Sequence, residues 1–157
     1  LRGNEIMRGF LMEHRYSDFL WGKLFKTSLV QKAYADIPFT YCTMAEDVLT
    51  SFFIALHAGK YLGIPDTVYN YRINTGVTSR REITDLADWQ KVCSAASVFT
   101  ILLSYFDEHP AIGTDIREAV RELGRAYYAD NLKQLERCVA PSLQAEARAL
   151  LEEWWGF

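Results

Sequence analysis

From Thr84 to the end of the chain, apolar residues return at helical spacing and at no other. Leu86, Trp89, Val92, Cys93, Ala96, Phe99, Leu103 and Phe106 form one stripe that ends before His109-Pro110. Ile116, Val120, Leu123, Tyr127, Leu132, Leu135 and Val139 form a second, beginning at about Thr114. Pro141-Ser142 opens a third, with Leu143, Ala147, Leu150, Leu151 and Trp154. At about 100° per residue each set lies on one face of a helix, and such faces must be buried against one another. Strands cannot use this period. The stripes predict a helical layer over the back half, held by plain packing.

The front half is mixed. Asn4 to about Lys32 is helical in pattern, with a break near Arg15-Tyr16-Ser17. Ser17 or Asp18 is placed to cap a following helix with Phe19, Leu20, Leu24, Phe25 and Leu29 on its apolar face. An irregular stretch, Ala35 to Thr43, leads to a helix that stops at Ala58-Gly59-Lys60, with Gly59 placed as a terminating glycine. Tyr61-Leu62-Gly63-Ile64, the turn former Pro65-Asp66, and Thr67 to Ile73 then read as two short strands. Tyr69, Tyr71 and Ile73 share one face; the two tyrosines read as sheet packing, with sugar stacking as the alternative. Two such strands need neighbours from elsewhere. The expected class is α+β and mainly helical. Arg80 to Asp85 is the joint, giving a first part over 1–80 and a helical extension over 81–157.

Composition closes off several functions. The 157 residues carry a formal charge of −3, and their basic residues are scattered, which argues against a nucleic-acid binder. The longest greasy run, Val98 to Phe106, is too short to span a bilayer. Cys42, Cys93 and Cys138 are odd in number and lack metal-ligand spacing. They read as reduced thiols of a cytoplasmic protein. His14, His57 and His109 show no metal spacing either, and His57 reads as a helix-surface residue. The chain opens at Leu1 inside a helical pattern, so it is expected to be a piece of a larger protein.

The stretch Tyr41 to Lys60 places adjacent carboxylates, Glu46 and Asp47, in front of a strongly apolar run. Thr43-Met44-Ala45-Glu46 fits a capping box, which makes Glu46 a helix cap. Val48, Leu49, Phe52, Phe53 and Leu56 form the apolar stripe, and Asp47 projects from the other side among Ser51, Ala55 and Ala58. Small neighbours mean close packing or a cleft. Asp47 is either a solvated acid or a site residue.

Three segments occur in order: Leu20 to Val30 ("LWGKLFKTSLV"), Met44 to Tyr61 ("MAEDVLTSFFIALHAGKY") and Pro65 to Ser79 ("PDTVYNYRINTGVTS"). Together they resemble the second half of bacterial family 2 glycosyltransferases, inverting enzymes with a GT-A fold. In that family a Trp-x-Lys-Leu-aromatic element precedes a Glu-Asp pair opening a helix. An aromatic strand then ends in Tyr-x-Tyr-Arg and a polar loop. The resemblance covers about Asp18 to Ser79. It implies that 1–80 is the C-terminal, acceptor-side part of a GT-A α/β domain.

The resemblance also implies a chemistry. An acceptor hydroxyl loses its proton as it attacks the anomeric carbon of a nucleotide-sugar, and a carboxylate in reach of that hydroxyl is the suitable base. Asp47 takes that role, with Glu46 orienting the acceptor or supporting the base. Arg72 and the loop through Ser79 stand near the diphosphate, where a guanidinium suits the charge; Arg72 otherwise reads as a strand-end partner of an acid. Asn74 stands where many members carry His, and Val77 where Ser is common. Trp21 fills a gap behind the cleft, and Lys23 either reaches a phosphate or acceptor or is a surface lysine.

No Asp-x-Asp stands in the chain. The nucleotide-binding half and its divalent metal, Mg or Mn, are therefore expected only in a complete enzyme, and this polypeptide alone is expected to be inactive. Implied partners are a nucleotide-sugar and a glycan or lipid-linked acceptor, in surface polysaccharide or glycoconjugate synthesis. The setting is cytoplasmic, at the membrane through the acceptor or the parent protein. Exposed apolar surface makes a homodimer a further expectation. A competing reading is a helical protein–protein interaction module without catalysis. Another is a phosphate-handling hydrolase with Glu46 and Asp47 as metal ligands.

Overall fold

The computed structural model describes residues 1–72 and 82–156. Seven α-helices account for most of them: α1 (Asn4–Leu11), α2 (Thr27–Asp36), α3 (Glu46–His57), α4 (Leu86–Cys93), α5 (Ala95–Glu108), α6 (Thr114–Cys138) and α7 (Gln144–Trp155). A 3-10 turn, Pro141–Leu143, leads into α7. The protein is mainly helical, as its stripes require. None of these helices is long and apolar enough to cross a membrane.

The stripes build two hydrophobic clusters. Ile6, Phe10, Val48, Phe52, Phe53, Val98, Leu102, Phe106 and Val120 belong to the larger, so α1, α3, α5 and the first half of α6 share one core. Trp89, Cys93, Leu135, Val139, Ala147 and Leu151 form the smaller, between α4, the far end of α6 and α7. At 25 residues and about 37 Å, α6 is the spine that reaches both. Trp155 packs against both clusters, stacking on Phe99 at 5.6 Å. In the smaller cluster the fully buried Trp89 donates its indole N–H to the Ala147 carbonyl at 2.8 Å, which removes the cost of an unpaired buried donor.

Several local expectations are corrected. The stripe from Leu86 to Phe106 is interrupted at Ser94, whose hydroxyl turns back to the Lys91 carbonyl at 2.6 Å, giving α4 and α5. No helix starts at Ser17 or Asp18. Residues 12–26 are irregular, with Gly22 at φ 73° and His14 at φ 49°, conformations that a right-handed helix excludes. Leu24 is then fully exposed, while Leu20, Phe25 and Leu29 still pack on the larger core. Gly59 is not in the left-handed region, and α3 instead ends on Ala58 in extended backbone.

The β component is also corrected: among the described residues no strand forms. The main chain around Lys60 pairs with the N-terminus, Leu1 and Tyr61 exchanging hydrogen bonds of 3.0 Å in both directions. Beyond that, residues 62–72 are exposed and without regular structure. A lone pair of short strands cannot supply its own sheet partners, and the helices here offer none.

Candidate active site at the start of the third helix

The acid pair does open α3, but not through a capping box. Thr43 is drawn away instead. Its amide donates to the Ser94 hydroxyl oxygen at 3.1 Å, and its own hydroxyl donates to the Lys91 carbonyl at 3.3 Å. The residue before the helix is Ala45, in the left-handed region at φ 63°, ψ 16°. An L-residue adopts this at a cost of about 1–2 kcal/mol. The turn tethered by Thr43 thus delivers Glu46 and Asp47 into the first turn of α3, where the helix dipole favours acids.

Asp47 is half-buried and Glu46 exposed. Asp47 faces the irregular loop that precedes α2. Burial pushes its carboxyl above the usual carboxylate range, and the neighbouring Asp18 carboxylate adds to the rise. The Leu20 backbone amide and the Lys23 ammonium pull the other way. Burial lowers Lys23 below the usual lysine value against the pull of Asp18 and Asp47, and its ammonium donates to the Phe19 carbonyl. From α6, Tyr127 completes the surroundings. Burial first, then Asp18, Glu46 and Asp47, push its phenol up to about 12. It keeps its proton at neutral pH.

The face of α3 that carries Asp47 is the small-residue face. Ser51, one turn on, is buried and donates to the Asp18 carbonyl at 2.6 Å. Ser51, Ala55 and Ala58 line a cleft of about 1160 Å³, together with Lys23. Asp18 lines a second hollow of about 330 Å³ against Tyr16, Val48 and Leu123. The two ionic neighbours of Asp47 therefore open on different cavities, Asp18 on the smaller and Lys23 on the larger. A half-buried carboxylate of raised pKa is a stronger proton acceptor than a free aspartate and suits general-base work.

The other candidates lie as follows. Trp21 does not fill a gap behind the cleft: with no helix from Ser17 to carry it inward, it is exposed and stacks on neighbouring rings. Tyr69 and Tyr71 do share a face, since both stack on Trp21, but they pack no sheet. Arg72 is exposed at the edge of the described residues, and Asn74, Val77 and Ser79 lie outside them. His57 is tied to Asp36 at 2.7 Å, joining α3 to α2. Asp18 was read only as a helix cap; nothing in its spacing marks it, because the loop alone carries it to Asp47.

Other chemistries find little here. Burial, then Glu46, push the Cys42 thiol up to about 11, and burial pushes Cys93 to about 12. Neither is a nucleophile at neutral pH. Among the described residues no three His, Cys, Asp or Glu side chains gather to hold a metal ion. The divalent ion implied by the resemblance is assigned to none of these residues. No family model matches the chain, and neither a curated protein nor a solved structure matches it.

Proposed function

We propose that the chain provides the acceptor side of an inverting glycosyltransferase, with Asp47 as general base. One observation carries the reading: Asp47 is half-buried one turn before Ser51, which lines the cleft, and burial, then the Asp18 carboxylate, keep its proton affinity high. In the reaction, the acceptor hydroxyl gives its proton to Asp47 as its oxygen bonds to the anomeric carbon, and the nucleoside diphosphate departs with the bonding electrons. Glu46, exposed on the next position of the turn, orients the acceptor. Lys23 supplies a cation that moderates the paired charge of Asp18 and Asp47. Residues 1–80 carry these groups, and α5 and α6 buttress the back of α3. The donor wall belongs to a nucleotide-binding unit with an Asp-x-Asp element, which these 157 residues lack.

The test is reconstitution. The chain is combined with its nucleotide-binding unit, on one polypeptide or as two, and assayed for nucleotide release from a panel of nucleotide-sugars with glycan and lipid-linked acceptors. Turnover that requires both parts is expected. Turnover by the nucleotide-binding unit alone at the same rate would remove the role assigned here.

The helical interaction module remains a second reading because the described residues form helices with two closed cores and no strand. It predicts a stable partner complex that survives Asp47→Asn and no turnover in any combination.

A further inference from the structure

Four aromatic side chains form a ladder on the surface, two of them carried by the loop that faces Asp47. Phe19 stacks on Trp21 at 4.8 Å and 15°, and Trp21 is flanked by Tyr69 at 5.1 Å and Tyr71 at 5.0 Å. All four are exposed, from 38% for Trp21 to 55% for Tyr71. Exposed aromatic rings gathered in contact at a protein surface point to a binding site. The ladder is also tied to the acid site by the chain itself. Leu20, whose amide faces Asp47, directly precedes Trp21, and Lys23 follows two residues later. Between them Gly22 turns at φ 73°, and its α-carbon passes so near the ladder that an added Cβ would lie 3.7 Å from that of Tyr69.

We propose that this ladder binds the saccharide of the acceptor, its rings covering the apolar C–H face of a pyranose while Asp18 and Asp47 accept hydrogen bonds from the hydroxyl rim. A sugar is the ligand whose chemistry has both parts: a flat C–H face for aromatic rings and hydroxyl donors for carboxylates, whose charge strengthens such bonds. A nucleobase would also stack on the rings, but its phosphates would meet Asp18, Glu46 and Asp47, and like charges repel. The role as acceptor rests on the transferase reading; the saccharide site itself does not.

The experiment titrates the chain with cellobiose, lactose and N,N′-diacetylchitobiose, read by indole fluorescence and by saturation-transfer NMR on the sugar C–H protons. At least one disaccharide is expected to bind. Trp21→Ala should weaken it about tenfold or more, Tyr71→Ala by less, and Trp21→Phe should stay near wild type, as ring stacking requires. Tyr71→Ala repeats the test without touching Trp21, should that variant fold poorly. Asp47→Asn should weaken binding, since it removes a charged acceptor, but by less than Trp21→Ala does, while transfer is lost, so failure of the base assignment and of the saccharide site are separable. The proposal is overturned if none of the three sugars binds, if the ring variants bind as wild type does, or if uridine monophosphate competes for the rings more tightly than any sugar.

Discussion

The Ser51 hydroxyl donates to the Asp18 carbonyl at 2.6 Å, one helical turn beyond Asp47 on the same face of α3. This bond pins the loop of residues 17–23 against the helix and so brings the Asp18 and Asp47 carboxylates together. Removing it by Ser51→Ala should lower stability by about 1 kcal/mol, because a part-buried carbonyl loses its donor. Denaturant unfolding gives the value.

The burial of Asp47 beside a second carboxylate has a sign that can be checked. Its native pKa lies above the unfolded one, so the folded state binds its proton more tightly. Stability on this account is highest in acid and falls as pH rises from the unfolded pKa through the native one. Asp47→Asn should therefore raise the melting temperature at pH 7. That gain should shrink as pH drops below the ordinary carboxylate range. A stability loss at pH 7 would mean that Asp47 is held by an attraction that outweighs its burial.

Asp36 has the opposite sign. The hydrogen bond from His57, with that of Tyr105 at 3.1 Å, holds its carboxyl below the usual range. The stability it lends is present above the unfolded carboxylate pKa and is lost as pH falls through the native one. His57→Ala should cost about 1 kcal/mol at neutral pH and flatten the acid limb of a stability-against-pH curve.

Ala45 holds a left-handed conformation immediately before the acid pair. Ala45→Gly should be neutral to stabilising by up to about 1 kcal/mol, since relief of strain outweighs the added freedom of the unfolded chain. Ala45→Val should destabilise by more than that, because a β-branched residue fits this region worst. Thermal unfolding of the two variants, side by side, decides it.

Gly124 costs α6 about 1 kcal/mol of helix propensity relative to alanine, yet alanine should not help. A Cβ there would sit 3.2 and 3.3 Å from ring carbons of Phe99. That ring is held between Tyr127 at 5.3 Å and Trp155 at 5.6 Å. With no room to yield, overpacking of about 1–3 kcal/mol should leave Gly124→Ala less stable in a denaturant titration.

The back half was legible because one period governs it. Ile116, Val120, Leu135 and Val139 of the second stripe are buried as that period demands, and His109-Pro110 follows the end of α5. The small-residue face of α3 was legible too, since Ser51, Ala55 and Ala58 do open on a cleft. The failures are tertiary. Thr43 looked like a cap, but Ser94, distant in sequence, competes for the same groups. Tyr61 to Tyr71 has the composition of strands, and composition cannot supply a neighbour to pair with. Asp18 entered the site through a loop whose course follows from Gly22 and from Ser51, neither of which has a local pattern.

The most direct measurement is the transfer rate of Asp47→Asn in the reconstituted enzyme, beside Glu46→Gln and wild type, with nucleotide-sugar binding measured in parallel. A fall of about a hundredfold or more for Asp47→Asn, with donor binding intact and a smaller effect at Glu46, is the predicted result. Transfer by Asp47→Asn at the wild-type rate would contradict it.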